Sequence, residues 1–198
     1  MRPQVFLIAP TKGLPASPYP LLHYSMALSF PDASSAHDLF SLNNWITQWV
    51  FRYGKTQPSH YHSRTHECMA VLSGKALIRF GGSNGQVLRA KAGDVFVIPA
   101  GVSHQTFDTV PEADFALLTP GEGRGIPGTE GEVRNALQSL TLDGFTMLGA
   151  YPTGGKWDFC TEEDEMDSEE IWKVPVPAKD PVVGVDQEGL VGLWTARK

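Results

Sequence analysis

His60-Tyr61-His62-Ser63-Arg64-Thr65-His66-Glu67 is the stretch whose reading decides the fold. On an extended strand, residues two apart face the same side, so His60 and His62 point together. Ser63 to Thr65 makes a turn, and Glu67 then opens an apolar segment. Alternation along that segment puts Glu67, Met69 and Val71 on one face and Cys68, Ala70 and Leu72 on the other. A fourth donor, His104, follows Pro99-Ala100-Gly101 at the end of another apolar run. Two histidines, a carboxylate and a third histidine from a separate strand form a mixed nitrogen and oxygen donor set. Imidazole suits Zn, Cu, Fe and Ni, and the carboxylate adds charge that favours a harder divalent ion.

Outward from this stretch, residues 45–118 have the texture of short β segments divided by turn chemistry. Ile46 to Tyr53 is rich in the aromatic and β-branched residues that strands prefer. Glu67 to Leu72 and Ala76 to Phe80 flank Ser73-Gly74-Lys75, which reads as a tight hairpin. Phe80 and Gln86 are joined by a loop containing Asn84-Gly85, a strong turn signal. Val95 to Ile98 and Phe115 to Leu118 complete the set. Many short antiparallel strands at regular spacing imply a sandwich or barrel.

The flanks are mixed. Val5 to Ile8 and Leu21 to Phe30 are strand candidates. A helix is expected over 32–42, capped by Asp32 or Ser34, with Ala36, Leu39 and Phe40 on one face. Residues 121–131 form a Gly-rich linker. Val133, Ala136, Leu137 and Leu140 have the i, i+3, i+4, i+7 spacing of a helix. Thr161 with Asp164 fits a helix N-terminal box at the head of an acidic run, which reads as a solvated helix face.

Composition bounds the rest. The chain has 198 residues, 41% of them hydrophobic and 19% charged, with a formal net charge of -6. That composition belongs to a globular domain with a full core. Residues 162–170 hold seven acids and no base, and removing those charges from -6 leaves +1. The acidity is therefore local. No basic face recommends a nucleic-acid partner, and no helix-turn-helix segment accompanies the β region. No apolar run approaches the roughly 20 residues of a membrane span. The stretch Val5 to Ala9 is too short for a secretory core. Cys68 and Cys160 make no disulfide framework, so a cytoplasmic setting with reduced thiols is expected.

The full spacing is Gly54-x5-His60-x-His62-x4-Glu67-x6-Gly74, then 18 residues, then Gly93-x5-Pro99-x-Gly101-x2-His104. Glycine and proline are each only about 5–7% of average usage, so nine residues at fixed offsets are not a chance pattern. In these two motifs the chain resembles the cupin superfamily of RmlC-like proteins. Gly149-Ala150-Tyr151-Pro152 and Asp180-Pro181 with Gly184 are similar to a narrower branch, the YjlB-like single-domain cupins, named for their sequences rather than for an activity. The resemblance implies an all-β, cupin-type jelly-roll (double-stranded β-helix) barrel. One domain is expected over 1–198, with the barrel at about 45–120, an N-terminal extension over 1–44 and a C-terminal extension over 121–198. It implies metal ligands at His60, His62, Glu67 and His104, and a divalent transition metal (Fe, Mn, Ni, Cu or Zn). Asp108 departs from the asparagine that often ends the second motif, at a position that is not a ligand.

Four protein ligands on an octahedral ion leave two positions open, as catalysis requires. The expected function is a metal-dependent enzyme acting on a small-molecule substrate by oxygenase, decarboxylase or isomerase-type chemistry, with Glu67 as a catalytic proton shuttle. A non-catalytic metal or small-ligand binding module is the alternative, and a metal-free isomerase with a histidine base is a third reading. Apolar positions on the barrel strands suggest a homodimer. His66 is expected to face away from Glu67, at the surface or behind the site. His23 and His37 read as surface or packing histidines, and Cys68 as a structural thiol. Trp49, Phe51, Tyr53 and Phe96 read as core or dimer surface, and Tyr151 and Trp157 as C-terminal packing, with a lid over the site as the other reading. Arg52 and Arg79 are candidates to bind a substrate carboxylate if they face the cavity. The facing of Gln48, like theirs, depends on strand register.

Overall fold

A computed structural model describes residues 1–164 and 166–195. The chain runs β1 (Gln4–Phe6), β2 (Leu21–Tyr24), α1 (Ala33–Leu42), β3 (Trp45–Tyr53), β4 (Glu67–Ser73), β5 (Lys75–Phe80), β6 (Gln86–Lys91), β7 (Val95–Ile98), β8 (His104–Val110), β9 (Ala116–Leu117), α2 (Glu130–Gln138), β10 (Phe145–Pro152), α3 (Ser168–Ile171) and α4 (Leu190–Leu193). A seven-stranded antiparallel sheet has the order β1-β2-β7-β4-β10-β3-β9, and a three-stranded sheet has β6-β5-β8. The all-β jelly-roll expectation holds.

The inner cluster between the sheets contains Met69, Val71, Ile78, Phe80, Phe96 and Met147. The outer face of the large sheet carries a second cluster, in which Cys68, Ala70 and Leu72 pack with Phe40, Leu137 and Trp194. The alternation expected in β4 is thus met residue by residue. Both faces of this strand are covered, which is why Glu67 to Leu72 are all buried. α1, α2 and the C-terminal segment cover the outer face, so apolar residues there are filled from within the chain.

Local signals place the helices. Asp32 caps α1 by accepting from the Ser35 amide. Thr129 and Glu132 form a reciprocal capping box at the head of α2. His37 bonds Thr47 through Nδ1 at 2.9 Å, and His23 stacks on Phe96 with centroids 4.4 Å apart. Both are buried packing histidines.

Three features differ from the sequence reading or go beyond it. Ser73-Gly74-Lys75 is not a hairpin, because β4 pairs with β7 and β10 whereas β5 pairs with β6 and β8. The turn carries the chain from one sheet to the other. Gly74 has φ +71°, and a Cβ there would meet the Gly144 and Val110 carbonyls at 2.7 Å. Second, residues 145–152 form β10, a central strand paired with both β3 and β4. Its apolar run is interrupted by Gly149, the mark of a bulge and a close approach. The register with β3 shifts there, and a Cβ on Gly149 would lie 2.1 Å from the Trp49 ring. Third, the acidic run is not one helix. It holds a 3-10 turn at Glu162–Asp164, where the Thr161 amide donates to Asp164 at 2.6 Å, followed by the four-residue α3. Glu165 lies outside the described residues.

Candidate metal centre

Backbone pairing delivers the donors to one place. His60 and His104 are bridge partners, each amide donating to the other's carbonyl at 3.1 and 2.8 Å. Tyr61 pairs on its other side with Cys160, and the Gly101 amide donates to the His62 carbonyl at 2.8 Å. Residues 60–62 are therefore extended, and the alternation sends His60 and His62 one way and Tyr61 into a separate small cluster with Ala100 and Ile171. Glu67 and His104 are the first residues of β4 and β8.

The side chains then meet. One donor nitrogen from each of His60, His62 and His104 lies within 4.8 Å of the others. Glu67 Oε2 is 3.2 Å from His104 Nε2 and 3.4 Å from His62 Nε2. Each imidazole turns its Nδ1 to a backbone carbonyl: His60 to Pro58, His104 to Val102 and His62 to Asp158. A donor hydrogen on Nδ1 leaves the Nε2 lone pair free for a metal, an orientation typical of metal-binding histidines. Among the described residues, buried His62 Nε2 and Glu67 Oε2 have no well-directed hydrogen-bond partner. Orphaned groups of this kind are costly to bury. Three imidazoles and a carboxylate, two of their inward-facing atoms unpaired, fit a divalent transition metal.

The protonation states of His60 and Glu67 agree, whereas at His62 burial is outweighed by Glu67 and the Asp158 carbonyl, which raise the imidazole. Burial and the neighbouring His104 and His62 push His60 down to about 3. Burial opposes the charge on Glu67, but His62 and His104 outweigh it and hold the carboxyl well below its usual range. A neutral imidazole and an ionised carboxylate are the ligand forms of those groups.

The site lies at the base of a cavity of about 230 Å³. Its walls correct the sequence reading. Trp49, Phe51 and Tyr53 line it, whereas Phe96 is core as expected. Tyr151 and Trp157 line it as well. The triplet Trp157-Asp158-Phe159 closes one side. Phe159 stacks on His60 at 4.3 Å and 10°, Trp157 lies 6.3 Å from the His62 ring, and Asp158 binds the Ser63 amide at 2.9 Å as well as holding His62 through its carbonyl. The Gly-rich linker supplies another wall through Gly123 and Arg124. Arg124 lies over the Trp157 ring at 4.2 Å. An acid between two aromatics, 35 or more residues from the β motifs, carries no local signature that would have found it.

The remaining candidates fall elsewhere. Arg52 grips both Asp143 oxygens at 3.0 Å and Arg79 reaches Gln105 at 3.0 Å, so neither enters the cavity. Gln48 is engaged with the Ile46 carbonyl. His66 is buried, not at the surface. Its Nδ1 accepts from the Ala100 amide at 2.9 Å and its ring packs 4.8 Å from Trp194. Cys68 is a free thiol in the outer cluster, pushed up by burial first and then by Asp180. Asp108 adopts φ +51°, a left-handed conformation that Asp and Asn tolerate better than most residues. Among the described residues no helix is long and apolar enough to cross a membrane.

A family model described as "Cupin domain" matches residues 48–119, the barrel strands and both motifs. Protein YjlB of Bacillus subtilis is 32% identical over 182 residues, covering 89% of this chain and 86% of that protein. Germin-like protein subfamily 1 member 6 of Arabidopsis thaliana is 33% identical over 103 residues, half of this chain and 44% of that protein. Among solved structures, RmlC from Streptococcus suis in complex with dTDP-D-xylose aligns over 78% of this chain and 72% of its own, with 13% identity and a TM-score of 0.33. A likeness at that level says nothing of substrate. The likeness to YjlB spans nearly both chains, and the family model covers the strands that bear the histidine cluster, so the chain belongs to the cupin family and is a cupin of the YjlB-like type.

Proposed function

We propose that His60, His62, His104 and Glu67 hold a divalent transition metal, and that the chain is a metal-dependent enzyme acting on a small organic molecule. The observation that carries this reading is the common aim of the four donors. Three imidazoles are fixed by Nδ1 contacts to carbonyls, and their free nitrogens converge beside Glu67 at the base of a cavity lined by aromatic rings. A bound divalent metal supplies Lewis-acid polarisation of a substrate oxygen and, if redox-active, one-electron chemistry with dioxygen.

The protein's own contribution is placement and proton handling. The aromatic walls exclude water and set the plane of an entering molecule. Pro58, Val102 and Asp158 hold the imidazole tautomers. Glu67 is the one buried carboxylate lining the cavity, and it is the group to take a proton from the substrate and return it.

The test is elemental analysis of the purified protein together with oxygen-uptake and product screens against small diketones, phenols and organic acids. Near-stoichiometric metal is expected, lost in a His60→Ala/His62→Ala double variant. Retention of metal by that variant overturns the ligand assignment. A Glu67→Gln variant with full metal and full turnover removes the proton-shuttle role. Stoichiometric metal without turnover on any compound favours a binding module over an enzyme.

A further inference from the structure

Besides the metal ligands, Tyr53, Gln57, Thr106, Glu122, Arg124 and Tyr151 bring polar groups to the cavity, among them a buried phenol and a cation. The phenol is inside. Tyr151 is 2% exposed, its ring meets His62 at 5.4 Å, and among the described residues its hydroxyl makes no well-formed hydrogen bond. Glu67 and Trp49 are its polar neighbours, at the margin of hydrogen-bond reach. A phenol with an ordinary pKa of about 10 is a neutral donor at physiological pH. A buried donor of this kind is costly unless something in the cavity accepts from it.

The other group is at the wall. Arg124 is the cavity's permanent cation, and among the described residues its guanidinium makes no hydrogen bond or ion pair. The loop that carries it is pinned. The Gly125 amide donates to the Gln48 carbonyl at 3.2 Å, and Gly123 lies so close to Phe51 that a Cβ would be 3.0 Å from its ring. The guanidinium lies over the Trp157 ring, which is itself 6.3 Å from the His62 ring. An arginine without an ion pair offers its fork to a carboxylate.

Between the two groups the space is small and flat-walled. At about 230 Å³ the cavity falls below the roughly 300–1,000 Å³ of sites for drug-sized ligands. Trp49, Phe51 and Phe115 on one side and Trp157 and Phe159 on the other offer ring faces and edges, the partners of a single aromatic ring.

We infer that the cavity binds a one-ring aromatic carboxylate bearing a second oxygen group, with the carboxylate on Arg124 and the inner oxygen on the Tyr151 hydroxyl beside the histidine cluster. This rests on the proposed function for the role of the histidine cluster, but the Arg124 and Tyr151 contacts are separate from it. Arg124 and Tyr151 become the specificity-determining residues.

The test is calorimetric titration of the full chain, zinc-supplemented and EDTA-treated, with 4-hydroxybenzoate, 4-hydroxybenzamide and benzoate. The amide removes the charge, and benzoate removes the inner oxygen. In the unmodified protein, 4-hydroxybenzoate is expected to bind about tenfold more tightly than either control. Arg124→Gln is expected to abolish the preference over the amide while keeping the preference over benzoate. Tyr151→Phe is expected to do the reverse. Absence of binding by all three probes overturns the inference. So does a preference that neither variant alters, which would place the carboxylate on the histidine cluster instead. Metal content measured on the same samples separates the two readings. Protein without metal that keeps the variant-sensitive preferences leaves this inference standing and removes the metal reading. Metal-loaded protein without them does the opposite.

Discussion

Tyr24 and Tyr151 are both buried tyrosines of the seven-stranded sheet, yet their hydroxyls meet opposite fates. Tyr24, on β2, faces the outer cluster and donates to Asp180 at 2.5 Å. Asp180 also accepts from the amides of Val182, Val183 and Leu190 at 2.7–3.1 Å, so the contact ties the C-terminal segment to the sheet. Tyr151, on β10, faces the cavity and makes no well-formed hydrogen bond among the described residues. Two buried carboxylates repeat the contrast. Asp94 accepts from the amides of Met26 and Lys91 at 3.0 and 3.1 Å and lies 3.4 Å from His23. Glu67 has two imidazoles beside it and, among the described residues, no backbone amide. Tyr24 and Asp94, away from the cavity, are satisfied from within the chain. Tyr151 and Glu67, at the cavity, are left for a guest.

The contrast is sharpest where removal should hurt most. Asp180→Ala strands three amides and a phenol in the outer cluster, and a loss of about 3 kcal/mol or more is expected from the charge-assisted bonds. Chemical denaturation measures it, and a loss below about 1 kcal/mol would show the outer network to be incidental. Asp158→Ala acts on the cavity side. It releases Ser63 and loosens the segment that positions His62, so metal affinity should fall about 10–100-fold, as when other outer partners of metal ligands are removed, with little change in folding. Competition with a chelator reports this, and unchanged affinity would make the His62 contact independent of the Asp158 side chain.

Asp94 gives a pH signature. Burial alone would raise its carboxyl, but the His23 contact and the Met26 and Lys91 amides hold it below the ordinary 3.8. A depressed folded value stabilises the protein in full above the ordinary value and is lost as pH falls through the folded one. The unfolding midpoint of the protein should therefore drop more steeply below pH 4 than that of Asp94→Asn. Parallel curves would remove Asp94 from the account. The smallest effect is expected of Tyr151→Phe. Removing a buried hydroxyl without a well-formed bond should leave stability unchanged or raise it by up to about 1 kcal/mol. A large loss would mean that Tyr151 is bonded within the fold and belongs with Tyr24.

The parts of the molecule that were legible in advance are those written in local patterns. The β4 alternation, the Asp32 and Thr129 caps and the Asn84-Gly85 hairpin each depend on a few neighbouring residues. β10 was missed because a strand covered on both faces does not alternate, and Gly149, there to admit Trp49, looks like a break. Ser73-Gly74-Lys75 misled because a tight turn has the same chemistry whether its strands pair or part. The cavity walls were misread for a similar reason. Trp49, Phe51 and Trp157 are apolar, and an aromatic ring facing a void is indistinguishable in sequence from one facing a core.

By itself, then, the sequence determined the donors and their spacing. The two-residue period of an extended backbone puts His60 and His62 on one face, and Glu67 on one face with Met69 and Val71, whereas the meeting of His104 with His60 took the specific pairing of their strands. Only the tertiary structure decided what the resulting cluster faces. The Nδ1 contacts to Pro58, Val102 and Asp158, the approach of Arg124 to Trp157, and the unmet hydroxyl of Tyr151 depend on segments brought together by sheet packing. Whether a buried polar group is satisfied or left open is set by its neighbours in space, and such neighbours leave no mark in the residues on either side of it.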